Sequence, residues 1–152
     1  MSIKKYFATA DNTITNAFKS NLTTRGVSGN MGQSDILEVF SIYGQMSSSV
    51  DGFSREEARV LIQFDLVQIA ADIAAGIIPS NAKYFLRLFN AEHGMTIPRE
   101  YNLETHAVDG GWQEGYGLDM EDYSDLSSGF GSNWIKKSGS NSWSTAGGDV
   151  HG

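Results

Sequence analysis

The chain has 152 residues, 40% of them apolar, with 18 Asp plus Glu against 11 Lys plus Arg and a net charge of −7. That length suits one domain, and the acidic balance argues against the clustered positive charge that nucleic acid or an anionic membrane surface requires. Cysteine is absent, which excludes disulfide scaffolds, thiol catalysis and Cys-based zinc sites together.

No apolar run reaches the length of a membrane span, so membrane insertion is not expected. The two lysines near the start are followed by Tyr6, Phe7 and polar residues rather than an apolar core, so no secretory signal is expected either. Gly, with 17 copies, together with Ser, Asn and Thr makes up about a third of the chain. These residues serve turns and loops better than helix interiors, and with only two prolines and many short apolar runs the sequence reads as mostly β with long connections.

In chain order, residues 3–10 form a first candidate strand, and Asp11-Asn12 reads as a turn into Thr13-Ile14-Thr15. Residues 19–34 carry no period and include Gly26, Gly29 and Gly32, which predicts a loop. The stretch 35–43 places Ile36, Glu38, Phe40 and Ile42 on one side of a strand, with apolar residues on the other side too. Ser54 followed three residues later by Glu57 looks like a helix-capping box. The sequence beyond it, ARVLIQFDL over 58–66, is instead rich in strand formers, and Val60, Ile62, Phe64 and Leu66 alternate with mostly polar neighbours, Leu61 excepted. A helix is predicted over 67–76, where Ile69, Ile73 and Ala74 share a face and Gly76 can close the last turn. Further strands are predicted over 82–90, where Tyr84, Leu86 and Leu88 alternate with Phe85, Arg87 and Phe89, and over 101–108.

Composition changes at Asp109. From there to the end the chain holds ten glycines, all three tryptophans and seven acidic residues against two basic ones. No apolar run in this region exceeds two residues, so it is expected to lie over the strands of 1–108 or to wait for a partner.

Chemistry-bearing motifs are sparse. His93, His106 and His151 show no paired ligand spacing, no G-x-S-x-G frames a nucleophile, and no glycine-rich phosphate loop is present. The expectation is a protein without catalytic residues. A depolymerase would need paired carboxylates facing a groove, and Glu114 and Asp119 come nearest to that. Asp119, Glu121, Asp122 and Asp125 supply the kind of carboxylate oxygens that Ca²⁺ takes, but their spacing is not that of an EF-hand. The plainer reading of this stretch is a solvated acidic loop.

Trp112, Trp134 and Trp143 lie among glycines and serines, as do Tyr116, Tyr123 and Phe130. Trp112 and Trp134 read first as plugs that anchor loops over a sheet, and Trp143 is open to either role. If the chain binds a glycan, Trp112, Tyr116 and Trp143 are the candidates for stacking on sugar rings.

Three stretches, in order, resemble the DNRLRE domain, a jelly-roll family related to the family 96 carbohydrate-binding modules. Residues 59–66, RVLIQFDL, resemble its R-x-L-x-x-F-D-L strand; residues 78–88 resemble its I-x-x-A-x-L-x-L stretch; Trp112-Gln113-Glu114-Gly115-Tyr116-Gly117 resembles its W-x-E-G-x-G segment. Ala10-Asp11-Asn12-Thr13-Ile14 is similar to the family's opening A-x-D-x-x-I. Members continue past W-x-E-G-x-G with several more strands, so the resemblance implies either missing strands or a longer polypeptide. None of the family's sugar-binding residues is carried over. The start MSIKKYFATADNTITNAF, without a signal, is similar to virion proteins of marine tailed bacteriophages, which use jelly rolls for fibres, decorations and connectors.

The resulting expectation is an all-β, jelly-roll β-sandwich with one short helix and long Gly/Ser-rich loops, forming one domain over 1–152. Its core would draw on Ile36, Phe40, Ile42, Val60, Ile62, Phe64, Leu66, Leu86 and Leu88. The expected role is a non-enzymatic virion component whose partners are other virion proteins and copies of itself. Glycan recognition on a host surface is the alternative.

Overall fold

The computed structural model describes residues 3–42, 55–91, 102–118 and 131–151. Its elements are β1 (Ala8–Thr15), β2 (Phe40–Ile42), β3 (Glu56–Phe64), α1 (Leu66–Ala74), β4 (Ala107–Val108), β5 (Lys136–Ser138), β6 (Asn141–Ser142) and β7 (Val150–His151). Strand dominates and α1 is the single helix among the described residues, which places the fold in the all-β class. No helix among them is long and apolar enough to cross a membrane. The chain divides into two compact units, one of Met1–Thr9 with Phe64–Thr105 and one of Ala10–Gln63 with His106–Gly152.

The larger unit contains most of a three-stranded sheet of order β1-β3-β2. β2 runs antiparallel to β3, with Phe40 opposite Ala58, Ser41 opposite Glu57 and Ile42 opposite Glu56. Two small antiparallel ladders complete it. β4 pairs with β7 through Ala107 opposite His151 and Val108 opposite Val150, and β5 pairs with β6 across a turn containing Gly139.

Asp11 and Asn12 do not form the predicted turn; they lie within β1. Their turn propensity is overridden because the fold satisfies the polar groups internally. Asn12 donates from Nδ2 to both the carbonyl and the hydroxyl of Ser132 at 2.8 Å, and its Oδ1 accepts the Met31 N–H. Thr15 donates to the Glu57 carbonyl at 2.8 Å, and the Thr13 hydroxyl accepts the Glu38 N–H.

The core also differs from expectation. Ile14, Leu61, Trp134 and Trp143 form one buried cluster, with Val27, Val108 and Trp112 packed against it, while Met31 and Ala58 form a second with Phe40 beside them. Leu61, the residue that broke the alternation, is only 4% exposed. Val60, Ile62 and Phe64 are half-buried on the other side of β3, and Ile36, Ile42, Leu66, Leu86 and Leu88 are exposed. Alternation identifies residues that share a face, but the covering layer decides which face is interior. Here that layer is Trp134 and Trp143, far along the chain.

In the smaller unit, α1 begins at Asp65, whose carboxylate accepts the Gln68 N–H at 3.0 Å, a side-chain N-cap. The helix closes through Ala75, and Gly76 follows at φ +71°, a left-handed position that suits glycine just past a helix end. Asp72 is buried on this helix. It accepts hydrogen bonds from the Tyr6 hydroxyl and, at 3.1 Å, from Gln68 Nε2, and it pairs with Lys4 Nζ at 3.1 Å. The hydrogen bond from Tyr6 holds the Asp72 carboxyl below its ordinary pKa. Burial first, and then the bond to Asp72, pushes the Tyr6 hydroxyl up to about 12. This clasp ties the N-terminal segment to α1.

Residues 82–91 are not the predicted strand: they have no regular secondary structure. A strand is held by a neighbour's backbone, and none pairs with this segment among the described residues. Likewise, among the described residues, 35–42 is strand only over Phe40–Ile42 and 102–108 only over Ala107–Val108; Tyr43 and Tyr101 lie outside them.

Candidate functional site

The W-x-E-G-x-G segment lies inside the larger unit, held on both sides by backbone bonds. The Gln113 N–H donates to the Lys137 carbonyl at 2.8 Å, and the Gln113 carbonyl accepts the Ser132 N–H at 2.6 Å. Glu114 Oε1 accepts the Asp11 N–H at 2.9 Å, and Asn30 Oδ1 accepts the Gly117 N–H at 2.9 Å. Burial, and then the nearby Glu114 carboxylate, raises the pKa of Asp11.

Gly115 sits where three segments cross. A Cβ on it would overlap the Asn30 amide, and a Cβ on Gly32 or Gly131 would overlap the Gly115 backbone. Gly131 is additionally at φ +84°, where an L side chain is strained. Gly115 of this motif, with Gly32 and Gly131 against it, therefore serves close backbone approach.

Trp134 is buried beneath Arg59, whose guanidinium lies 5.0 Å from the ring centroid. Arg59 also donates to the Gly147 carbonyl at 2.9 Å and pairs with Glu57 at 3.0 Å. Trp143 is 5% exposed and donates its indole N–H to the Asn133 carbonyl at 2.8 Å. Its ring therefore offers almost no surface to a sugar, and the structure places it in the core. Trp112 is half-buried against the same core, and Tyr116 is 59% exposed. The three stacking candidates are thus not brought together on one open face.

The proposed Ca²⁺ residues Asp119, Glu121, Asp122 and Asp125 lie outside the described residues, as do Tyr123 and Phe130. Among the described residues, no group of three or more His, Cys, Asp or Glu side chains gathers as a metal-binding set. Of the carboxylate pair considered for hydrolysis, Glu114 binds backbone at β1 and Asp119 is outside the described residues. Asp149 turns inward on its own loop, accepting the Ser144 and Thr145 N–H groups at 2.9 and 2.7 Å, and these bonds hold its pKa down. Comparisons with protein-family models, with curated proteins and with solved structures return no match.

Two features escaped the sequence reading. Glu56 is buried; its Oε2 accepts the Phe18 N–H at 2.8 Å, and its Oε1 has no hydrogen-bond partner among the described residues. A carboxylate at the edge of an apparent capping box gives no sequence sign of such burial.

The second feature is the apolar surface of the smaller unit. Val67 on α1 is 81% exposed, and Phe85 and Phe89 are 85% and 77% exposed. Leu66, Ile77, Tyr84, Leu86 and Leu88 are exposed as well. The available sign was that residues 84–89 are apolar on both sides of their alternation, unlike an ordinary half-solvated strand. A concentration of large apolar side chains in solvent is the usual mark of an interaction surface. This surface, rather than the tryptophans, is the candidate functional site.

Proposed function

We propose that the chain is a non-enzymatic structural protein of a tailed-bacteriophage virion, such as a head decoration, neck or tail connector or fibre component. Its work is assembly: it buries surface against other virion proteins and copies of itself, and exchanges strands or loops with them. In this reading the strands belong to a jelly-roll-type sandwich that neighbouring subunits complete. The observation that carries it is the exposure of many large apolar side chains in the smaller unit, Val67, Phe85 and Phe89 above all. Leaving such side chains in water forgoes about 1.5–3 kcal/mol for each one that a partner could bury. Repetition in a particle turns individually weak contacts into firm attachment.

Supporting features are the cysteine-free, Gly- and Ser-rich composition and the resemblance of the chain's opening to virion proteins. Glycan recognition is less well supported, because a sugar platform needs open ring faces and Trp143 is buried. The test is quantitative mass spectrometry of density-purified particles of the phage encoding the chain. Many copies per particle are expected, and absence from the particle overturns the reading.

A further inference from the structure

We propose that residues 84–89 are a self-complementary strand that pairs antiparallel, about a two-fold axis at Arg87, with the same residues of a second copy of this chain. The inference deepens the assembly reading by naming one partner and one contact, and it rests on that reading.

Phe85-Leu86-Arg87-Leu88-Phe89 reads the same in both directions. A two-fold interface must be self-complementary, each residue meeting its symmetry mate's counterpart, and a palindromic strand meets that condition residue by residue. In an antiparallel pair centred on Arg87, Phe85 stands opposite Phe89 of the second copy and Leu86 opposite its Leu88. Both are favourable cross-strand pairs, and they put aromatic rings on one side of the ribbon and leucines on the other.

The segment has the alternation and residue types of a strand, yet it has no strand partner among the described residues and its side chains are exposed. Unpaired backbone with apolar side chains on both sides is the template for strand addition.

The available area suits a second copy. Tyr84, Phe85 and Phe89, all exposed by two-thirds or more, offer roughly 450 Å² between them, taking 150–250 Å² for a fully exposed aromatic side chain. Leu86 and Leu88 each add roughly 50 Å² at their exposures. The total, roughly 550 Å² per copy at most, is below the ~800 Å² per partner of a standard interface, which suits a weak, reversible pair.

The one unfavourable contact is Arg87 against Arg87 of the second copy. Each guanidinium lies over the ring of its own Phe89, 4.7 Å from the centroid, which draws it away from the axis. The remaining repulsion limits the pair's strength and discourages further stacking of strands, the role of a charge set in an aggregation-prone segment.

The full-length chain is tested in two ways. Sedimentation velocity should show a concentration-dependent monomer–dimer equilibrium with a Kd on the order of micromolar. Because the native chain has no cysteine, Arg87→Cys introduces a single thiol on the axis. Opposed residues of an antiparallel pair lie about 4.5–5.5 Å apart at Cα, within disulfide reach, so this variant should oxidise rapidly to a covalent dimer. Phe89→Cys should not, because its two thiols would sit about 13 Å apart along the ribbon. A wild-type chain that stays monomeric at high concentration overturns the pair, as does Arg87→Cys cross-linking no faster than Phe89→Cys. A monomer whose amides over 84–89 resist hydrogen exchange also overturns it, by showing that the same chain covers the segment. Cross-linking in a chain absent from particles would defeat the virion reading and leave the pair standing; a monomer abundant in particles would do the reverse.

Discussion

The two compact units differ in where they put polar and apolar side chains. In the larger one, polar residues such as Asn12, Thr13, Thr15, Asn30 and Ser132 are buried, and hydrogen bonds between distant segments satisfy them. In the smaller one, most large apolar residues are exposed, Ile78 excepted, and the buried side chain of α1 is the carboxylate Asp72. Apart from one oxygen of Glu56, the larger unit has internal partners for the polar groups described above, while the smaller displays apolar side chains. Polarity alone therefore locates neither the interior nor the surface of this chain; partners do.

Four substitutions or conditions can break or sharpen that contrast. The largest effect should come from Trp143→Ala, which empties the core of the larger unit and leaves the Asn133 carbonyl without its indole donor. A loss of about 3–5 kcal/mol is expected in urea denaturation. Gly131→Ala should cost about 3 kcal/mol in the same assay, combining left-handed strain with overlap on the Gly115 backbone. If either proves neutral, the larger unit is not knitted together as described.

The Asp72 clasp should make the smaller unit sensitive to both extremes of pH. A carboxyl held below its unfolded value of 3.8 contributes stability above that value, and the contribution is lost as pH falls through the lower folded pKa. A tyrosine raised from 10.0 to about 12 contributes stability below pH 10 that is lost as pH rises between those values. The protection of the α1 amides from hydrogen exchange, taken relative to the intrinsic exchange rate at each pH, should therefore be greatest between these limits. Asp72→Asn should flatten the acid limb, and an unchanged profile would remove the clasp from the account.

The smallest effect should come from Val67→Ser, which trims an exposed apolar side chain and should change monomer stability by no more than about 0.5 kcal/mol. A larger destabilisation would mean that Val67 is packed within the chain.

The sequence made some local features legible. β3 was expected over 58–66 and runs over Glu56–Phe64, and the helix expected over 67–76 is Leu66–Ala74 with Gly76 just beyond its end. Both depend on near neighbours: strand formers in one case, and alanines with a terminal glycine in the other. What could not be read depends on distant ones. Asn12 looks like a turn residue until Ser132 meets it, and Leu61 looks like an exception to its strand until Trp134 and Trp143 cover it. For the candidate site, the apolar sequence of 84–89 was visible, but its exposure was not. Strand-forming residues announce a need for partners without saying whether the chain supplies them.

All three tryptophans, Trp112, Trp134 and Trp143, belong to the larger unit, and the one described helix belongs to the smaller. Intrinsic fluorescence excited in the indole band therefore reports on one body, and helical circular dichroism reports chiefly on the other. A single unlabelled sample heated under both probes would show whether the two melt as one cooperative system or in succession, with no engineered reporter in either.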